Sequence, residues 1–354
     1  MFIHHRDDDQ NSTNHKMHQG GSQDSLIVVV ASGFTWAENL AISEVNGIAF
    51  MSDIYGEKLW RIYYNESSER FEQHVFLDVE TSPFNHYFGL ALYETAKNSS
   101  KSGNFENGNS ELPFPDGSVL YVVVRNHADG ESYVISMDPN IPFKYQVVSR
   151  LPKVGNGLAL HKKTHLLYVT TEGGFLPYGG QVYQVNPRTR SCTTILTDLY
   201  AADGAFIDQE RNWLYVSQVI GSKVLVIDLE KLETLKIANS DNFKREDIVI
   251  REFIAPCEML DDFTLSRDGK ILYGADFWGG KVVKFSAWDG SNSSVIASDL
   301  IFPTSVRLGP RNLRPHSSSQ IEDGETISSL FVTEGGGLFP SMVKNRKLLE
   351  ILNN

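Results

Sequence analysis

Residues 261–276 read DDFTLSRDGKILYGAD: two acids lead a short apolar run, an Arg-Asp-Gly turn follows, and a second run places Tyr273 twelve residues after Asp261. Asp-Gly is turn chemistry because both residues tolerate a left-handed backbone, and the flanking runs carry the aromatic and β-branched residues that suit a pleated strand. The stretch reads as a hairpin that begins on an acid. The same unit recurs through the chain. Asn156 opens NGLALH with Tyr168 twelve residues on, Asp203 opens DGAFID with Tyr215 twelve on, and Glu38 opens ENLAIS with Phe50 twelve on. Two further copies carry longer inserts. FGLALY starts at Phe88 and finds its partner in VLYVVV (119–124), and TSVRLG starts at Thr304 and finds its partner in SLFVTE (329–334).

Each hairpin is followed by a third strand after a glycine turn, as in GSKVLVID (221–228) and GGKVVKFS (279–286). A fourth strand closes most units: HVFLDV (74–79), YQVVSRL (145–151) and DIVIREF (247–253). The unit starts lie 50, 68, 47, 58 and 43 residues apart. Four antiparallel strands at such a period form the blade of a propeller, so the expected fold is all-β, a six-bladed β-propeller spanning residues 25–354. The longest gap holds a polar low-complexity loop, KNSSKSGNFENGNSELPFPDG, and the last blade carries a similar insert near residues 311–326. SLIVVV (25–30) precedes the first unit and has no partner inside it. It is expected as the outer strand of the last blade, tying the two chain ends together and removing free sheet edges. A pair of β-sandwiches would also give short strands at regular spacing, but it would not repeat a polar opening residue.

Phe and Tyr together number 34 (20 and 14) and Gly 28, a balance that favours strands and turns over helices. Acids outnumber bases 44 to 32, a net charge of −12. Phosphate recognition needs a basic surface, so nucleic acid is not expected as a partner; an acidic chain suits a cation, or simply solubility. Cys192 and Cys257 are too few for a disulfide scaffold and are read as buried thiols. No run reaches the length of a membrane span. Residues 1–24 are polar and His-rich with no signal-like apolar core, and are read as a disordered tail. The default compartment is cytoplasmic, with secretion left open by the sequons at Asn11, Asn65, Asn98 and Asn292. The chain is read as a monomer.

In a propeller the first strand of each blade lines the central channel, with its first residue at one mouth. The six opening residues are Glu38, Phe88, Asn156, Asp203, Asp261 and Thr304. Asn-Gly and Asp-Gly, taken singly, are ordinary turn dipeptides. Together, three carboxylates and an amide at equivalent positions would repel one another and resist desolvation unless a cation joined them. Hard oxygen donors point to Ca2+ first, with Mg2+ and Mn2+ as alternatives and Zn2+ less suited. The metal set is therefore Glu38, Asn156, Asp203 and Asp261.

WAENLAI (36–42), VGNGLAL (154–160), YAADGAFID (200–208), the quoted 261–276 stretch, and FPTSVRLG with LFVTEGGG (302–309 and 330–337) occur in an order and spacing that resemble the gluconolactonase, regucalcin and luciferin-regenerating-enzyme-like family. Paraoxonase is a more distant likeness. The resemblance implies a calcium propeller that hydrolyses lactones or related esters. Glu38, Asn156, Asp203 and Asp261 fall at the metal positions, and Asp261 falls at the carboxylate that also serves as base. Two departures stand out. Phe88 occupies the place of the paraoxonase catalytic histidine, with His86 two residues away, and Asp203 replaces a commoner asparagine, which adds negative charge.

A cation at this mouth would polarise a carbonyl, and a carboxylate would take a proton from the attacking water. Asp261 is expected as ligand and base, with Asp262 as alternative base or orienting residue; strand alternation argues against both facing the metal equally. The pocket wall is expected to include His86, Phe88, Asn126, His127, Glu172, Trp278 and Glu334, from the strand starts and the turns that return to the same mouth. Two other functions share the fold: a non-catalytic propeller braced by the ion, and a strictosidine-synthase-like condensing enzyme, which lacks this ligand set.

Overall fold

A computed structural model describes residues 26–43, 45–94, 117–173, 178–238, 243–310, 313, 328–335 and 346–352. The tail at 1–24, the two polar inserts and parts of TEGGFLP and TEGGGLFP lie outside the described residues. Six four-stranded antiparallel sheets form the six blades of a propeller. Blades one to five follow chain order, their inner strands being Ala37–Ser43, Phe84–Tyr93, Leu158–Leu160, Ala202–Asp208 and Leu260–Leu265. The sixth begins with Pro303–Pro310 and runs through Ser328–Glu334 and Arg346–Leu352 to the N-terminal strand Leu26–Phe34. The expected closure is present: Leu26 pairs with Leu352 and Phe34 with Arg346.

Both faces of each blade are covered by a neighbour. Second strands are therefore buried along their length, Ile48–Asp53 throughout and Val119–Asn126 up to its last two residues. This is why the sequence shows apolar runs there in place of alternation. The core divides into six clusters, one per blade interface. Phe50 and Phe76 of blade one meet Tyr87 and Val122 of blade two, and Val30 and Leu348 of blade six meet Ala37 and Met51 of blade one.

Two strand assignments change. The outer strand of blade one runs Arg70–Asp78, not 74–79. In blade four, residues 245–248 form a helical turn before the strand Val249–Ile254. The Asp247 carboxylate accepts from the Lys244 backbone N–H at 2.7 Å, which turns the chain where an extended start was expected. A second helix, Leu229–Ile237, is also inserted in this blade. Asp228 caps it by accepting from Glu230 N and Lys231 N, and Leu229 and Leu232 anchor it to the core. Both cysteines are free thiols. Among the described residues no helix is long and apolar enough to cross a membrane.

Candidate metal centre

The inner strands do not alternate cleanly where they reach the mouth. Pairing with the second strand skips between Ala37 and Leu40, Tyr87 and Leu90, Ala202 and Ala205, Leu260 and Phe263, and Pro303 and Ser305. A bulge sets extra residues against one partner and re-aims side chains. Five of the six opening residues sit in these bulges, and Asn156 lies just ahead of its strand, Leu158–Leu160. Three of them, Glu38, Asp203 and Asp261, bring carboxylate oxygens within 4.8 Å of one another, all buried.

The electrostatics of this cluster are unfavourable without a counter-charge. Desolvation pushes the Glu38 carboxyl up to about 8, against the pull of a hydrogen bond from Trp36 and with the charges of Glu172 and Asp262 adding to the rise. Asp203 and Asp261 are likewise held well above the usual carboxylate range, first by burial and then by the neighbouring acids. Asp203 Oδ1, Asp261 Oδ1 and Asn156 Oδ1 are buried and have no hydrogen-bond partner. Buried polar atoms are nearly always paired. Three orphaned oxygens, each on a residue of the expected metal set, are hard donors of the kind a divalent cation takes.

The supporting structure fixes the backbones of these residues. Thr170 Oγ1 of blade three donates to Asp203 O of blade four. Ser217 Oγ of blade four donates to Asp261 O of blade five at 2.5 Å, and Thr333 Oγ1 of blade six donates to Glu38 O of blade one at 3.0 Å. Hydroxyls on one blade's second strand thus hold the opening residue of the next. The sequence marks these three as an aromatic residue followed two positions later by Ser or Thr, at Thr170, Ser217 and Thr333, a pattern that the repeat alone does not tie to the metal set. Gly157 and Gly204 permit the close approach: a Cβ on Gly157 would stand 2.1 Å from Asp203 O, and one on Gly204 2.6 Å from Asp262 Oδ1.

Side-chain partners orient the set further. Trp36 Nε1 donates to Glu38 Oε2 at 2.5 Å. Asn156 Nδ2 donates to Glu172 Oε1 at 2.7 Å, which leaves the Asn156 carbonyl oxygen for another partner. Asp262 is engaged elsewhere. Its Oδ1 accepts from Phe263 N at 2.8 Å, and its Oδ2 accepts from Ser305 Oγ at 2.6 Å and pairs with Arg307 at 2.7 Å. Arg307 also donates to Phe263 O, Val306 O and Asn39 Oδ1. This ion pair joins blades five and six at the channel, and Arg307 extends the link to Asn39 of blade one. Beyond it, towards the opposite end, lies a cavity of about 430 Å³ lined by later residues of the inner strands, such as Leu40, Leu158 and Leu265.

The expected pocket residues fall into four groups. Glu172 belongs to the acidic centre through Asn156 and its charge. Glu334 is buried and accepts from Ile301 N at 2.9 Å, and Asn126 Oδ1 accepts from Ala128 N at 2.8 Å. These two hold chain turns, as Asp53 and Asp276 do where they accept from incoming backbone N–H groups. His127 is exposed. His86, Phe88 and Trp278 belong to an aromatic arc. Phe302 lies 5.0 Å from Phe277, Phe277 lies 6.2 Å from Trp36, Trp36 lies 5.4 Å from Tyr55, Tyr55 lies 6.1 Å from His86, and His86 lies 6.0 Å from Phe88. Trp278 joins it 5.8 Å from Phe302.

Among solved structures, the ring of blades aligns with three proteins of known name. A gluconolactonase from Xanthomonas campestris has a TM-score of 0.57 at 16% identity, over 94% of this chain and 90% of its own. A luciferin-regenerating enzyme has 0.60 at 12% identity, over 93% and 95%. A calcium-binding regucalcin from Agrobacterium tumefaciens has 0.55 at 12% identity, over 92% and 94%. The chain has the fold of these propellers. The likeness lies in the fold, since so few residues are shared. No family model and no curated protein matches the sequence.

Proposed function

We propose that this propeller is a divalent-cation-dependent hydrolase of lactones or related carboxylic esters, with Ca2+ the best-suited ion. The observation that carries the reading is the set of buried acceptors at one mouth: three carboxylates, and a carboxamide whose oxygen lacks a partner, as do Asp203 Oδ1 and Asp261 Oδ1. Glu38, Asn156, Asp203 and Asp261 would hold the ion. Four protein oxygens leave room for water and a substrate oxygen within the six to eight ligands usual for Ca2+. The ion supplies Lewis acidity at the substrate carbonyl when bound.

The chain's own residues divide the remaining work. A base needs an oxygen that the chain has not already engaged, so hydrogen-bond partners decide between the paired aspartates. Asp261 keeps one unpartnered oxygen, whereas both oxygens of Asp262 are committed. Asp261 takes the proton. Asp262 holds Arg307 of the neighbouring blade and so acts as a positioning residue. Trp36 and Glu172 orient Glu38 and the Asn156 amide.

The test is a lactone panel assayed with purified protein in Ca2+ and after chelation. The reading expects hydrolysis that disappears on chelation and returns with Ca2+. Tight ion binding with no hydrolysis of any lactone or ester would support an ion that only braces the channel.

A further inference from the structure

The acidic centre is walled unevenly. On the side of blades five, six, one and two, the side chains around it are rings: Phe302, Trp278, Phe277, Trp36, Tyr55 and His86, each within about ring-contact distance of the next. Trp36 touches the centre directly through its hydrogen bond to Glu38. Tyr55 stands against Trp36, edge to face at 5.4 Å. Phe277 is buried beneath the arc, while Trp278 and Tyr55 are 42% and 47% exposed and form its open edge. Apolar exposure continues beyond the arc along the same rim, at Ile301 and Ile220.

A polyhydroxylated ring needs a donor or acceptor for each buried hydroxyl, or it loses hydrogen bonds to water. This wall offers few. The Trp36 N–H is already committed to Glu38. Asp53, which stands at the neighbouring turn, is filled by the backbone N–H groups of Thr35, Trp36 and Gly56. Glu334 gives one oxygen to Ile301 N. Among the described residues these carboxylates hold the chain, and the exposed edge of the wall is aromatic.

We infer that the substrate of this site carries an aryl or similarly flat hydrocarbon group near its ester carbonyl, seated against the Trp36–Tyr55–Trp278 wall, in preference to a sugar lactone. This rests on the hydrolase reading of the acidic centre and specifies its substrate class. With the carbonyl at the carboxylate cluster, a ring attached within three bonds of it stacks on the arc. The rest of the molecule leaves through the open rim.

Three six-membered lactones with alkoxide leaving groups test this: δ-valerolactone, its 6-phenyl derivative and glucono-1,5-lactone. Each kcat/KM is divided by that lactone's own hydroxide rate, and all are measured in Ca2+. The phenyl lactone should exceed the parent by about ten-fold or more, chiefly through KM, as burial of one aromatic ring implies. Trp278→Ala should cut this aryl-to-parent ratio by about ten-fold, and Tyr55→Ala should also lower it. The Ca2+-dependent melting shift of each variant reports that the acidic centre is intact. A preference for the sugar lactone, or a ratio unmoved by both substitutions, overturns the inference while leaving the hydrolase reading in place. Calorimetric binding of 6-phenylpiperidin-2-one against piperidin-2-one supplies the second arm. If no lactone is hydrolysed but the phenyl lactam binds and Trp278→Ala abolishes its advantage, the hydrolase reading fails and the aryl site stands. If the two lactams bind alike, the aryl site is refuted.

Discussion

Removing the cation should make stability depend on pH in a direction set by the acidic centre. Glu38 moves from an ordinary 4.5 to about 8 in the folded chain. Below pH 4.5 the group is protonated in both folded and unfolded states, and its burial costs little. As pH rises from 4.5 to 8 the unfolded chain ionises while the folded chain keeps its proton, so stability falls; above 8 the full penalty applies. Between pH 5.5 and 8.0 Glu38 alone removes about 3 kcal/mol, at about 1.4 kcal/mol per pH unit and allowing for partial titration at each end. Unfolding entropy for a chain of 354 residues is about 0.7 kcal/mol/K, so this is about 4 °C in Tm. Asp203 and Asp261 shift in the same direction and add to it. A bound cation stabilises the ionised form and should abolish this slope. The assay is differential scanning calorimetry at pH 5.5 and 8.0, in EDTA and in saturating Ca2+. The rise in Tm on adding Ca2+ should be larger at pH 8.0 by about 4 °C or more. Differencing the two solutions cancels titrations elsewhere in the chain. A Ca2+ shift that is absent, or no larger at pH 8.0, would refute the argument that these carboxylates await a cation.

Three further outcomes follow from the same geometry. Asp261→Asn should keep an oxygen donor, weaken Ca2+ binding measured by calorimetry, and lower lactone hydrolysis by roughly 10²–10⁴-fold. Asp262→Asn should instead lower stability by about 3 kcal/mol, because it strands Arg307 in a largely buried position, and should cost less in rate; the opposite pattern would reassign the base. Gly157→Ala should weaken Ca2+ binding with every donor atom retained and cost about 1–3 kcal/mol in denaturant unfolding, since the new Cβ meets Asp203 O and Thr170 Oγ1; wild-type affinity would show that this approach is not needed. Deleting residues 1–34 removes the strand paired with Arg346–Leu352 and should yield aggregated or oligomeric protein by size-exclusion chromatography, because a buried edge is left open.

The ring of blades was legible because it is a local property written six times. A strand start, a turn and an aromatic residue twelve positions on can be read within one segment, and a polar residue returning at the same place marks the channel mouth. Glu38, Asp203 and Asp261 could be grouped before any coordinates because ring closure brings equivalent positions together. The aromatic arc has no such rule. Trp36, Tyr55, His86, Phe277 and Phe302 come from strand starts, turns and connections at unequal places in their repeats, and only the closed ring makes them neighbours. The choice between Asp261 and Asp262 was hidden for a different reason. Alternation separates consecutive residues only while the ladder is regular, and here pairing skips from Leu260 to Phe263 across both aspartates. Within a bulge the period of two no longer says which side chain faces the channel mouth. What separates them is the accounting of partners: Asp262 has filled both oxygens with Phe263, Ser305 and Arg307, while Asp261 keeps one that nothing in the chain satisfies. An unfilled acceptor in a buried cluster is a property of the assembled neighbours, so the sequence could name Asp261 with Asp262 as its alternative, and only the neighbours show which of the two keeps an unengaged oxygen.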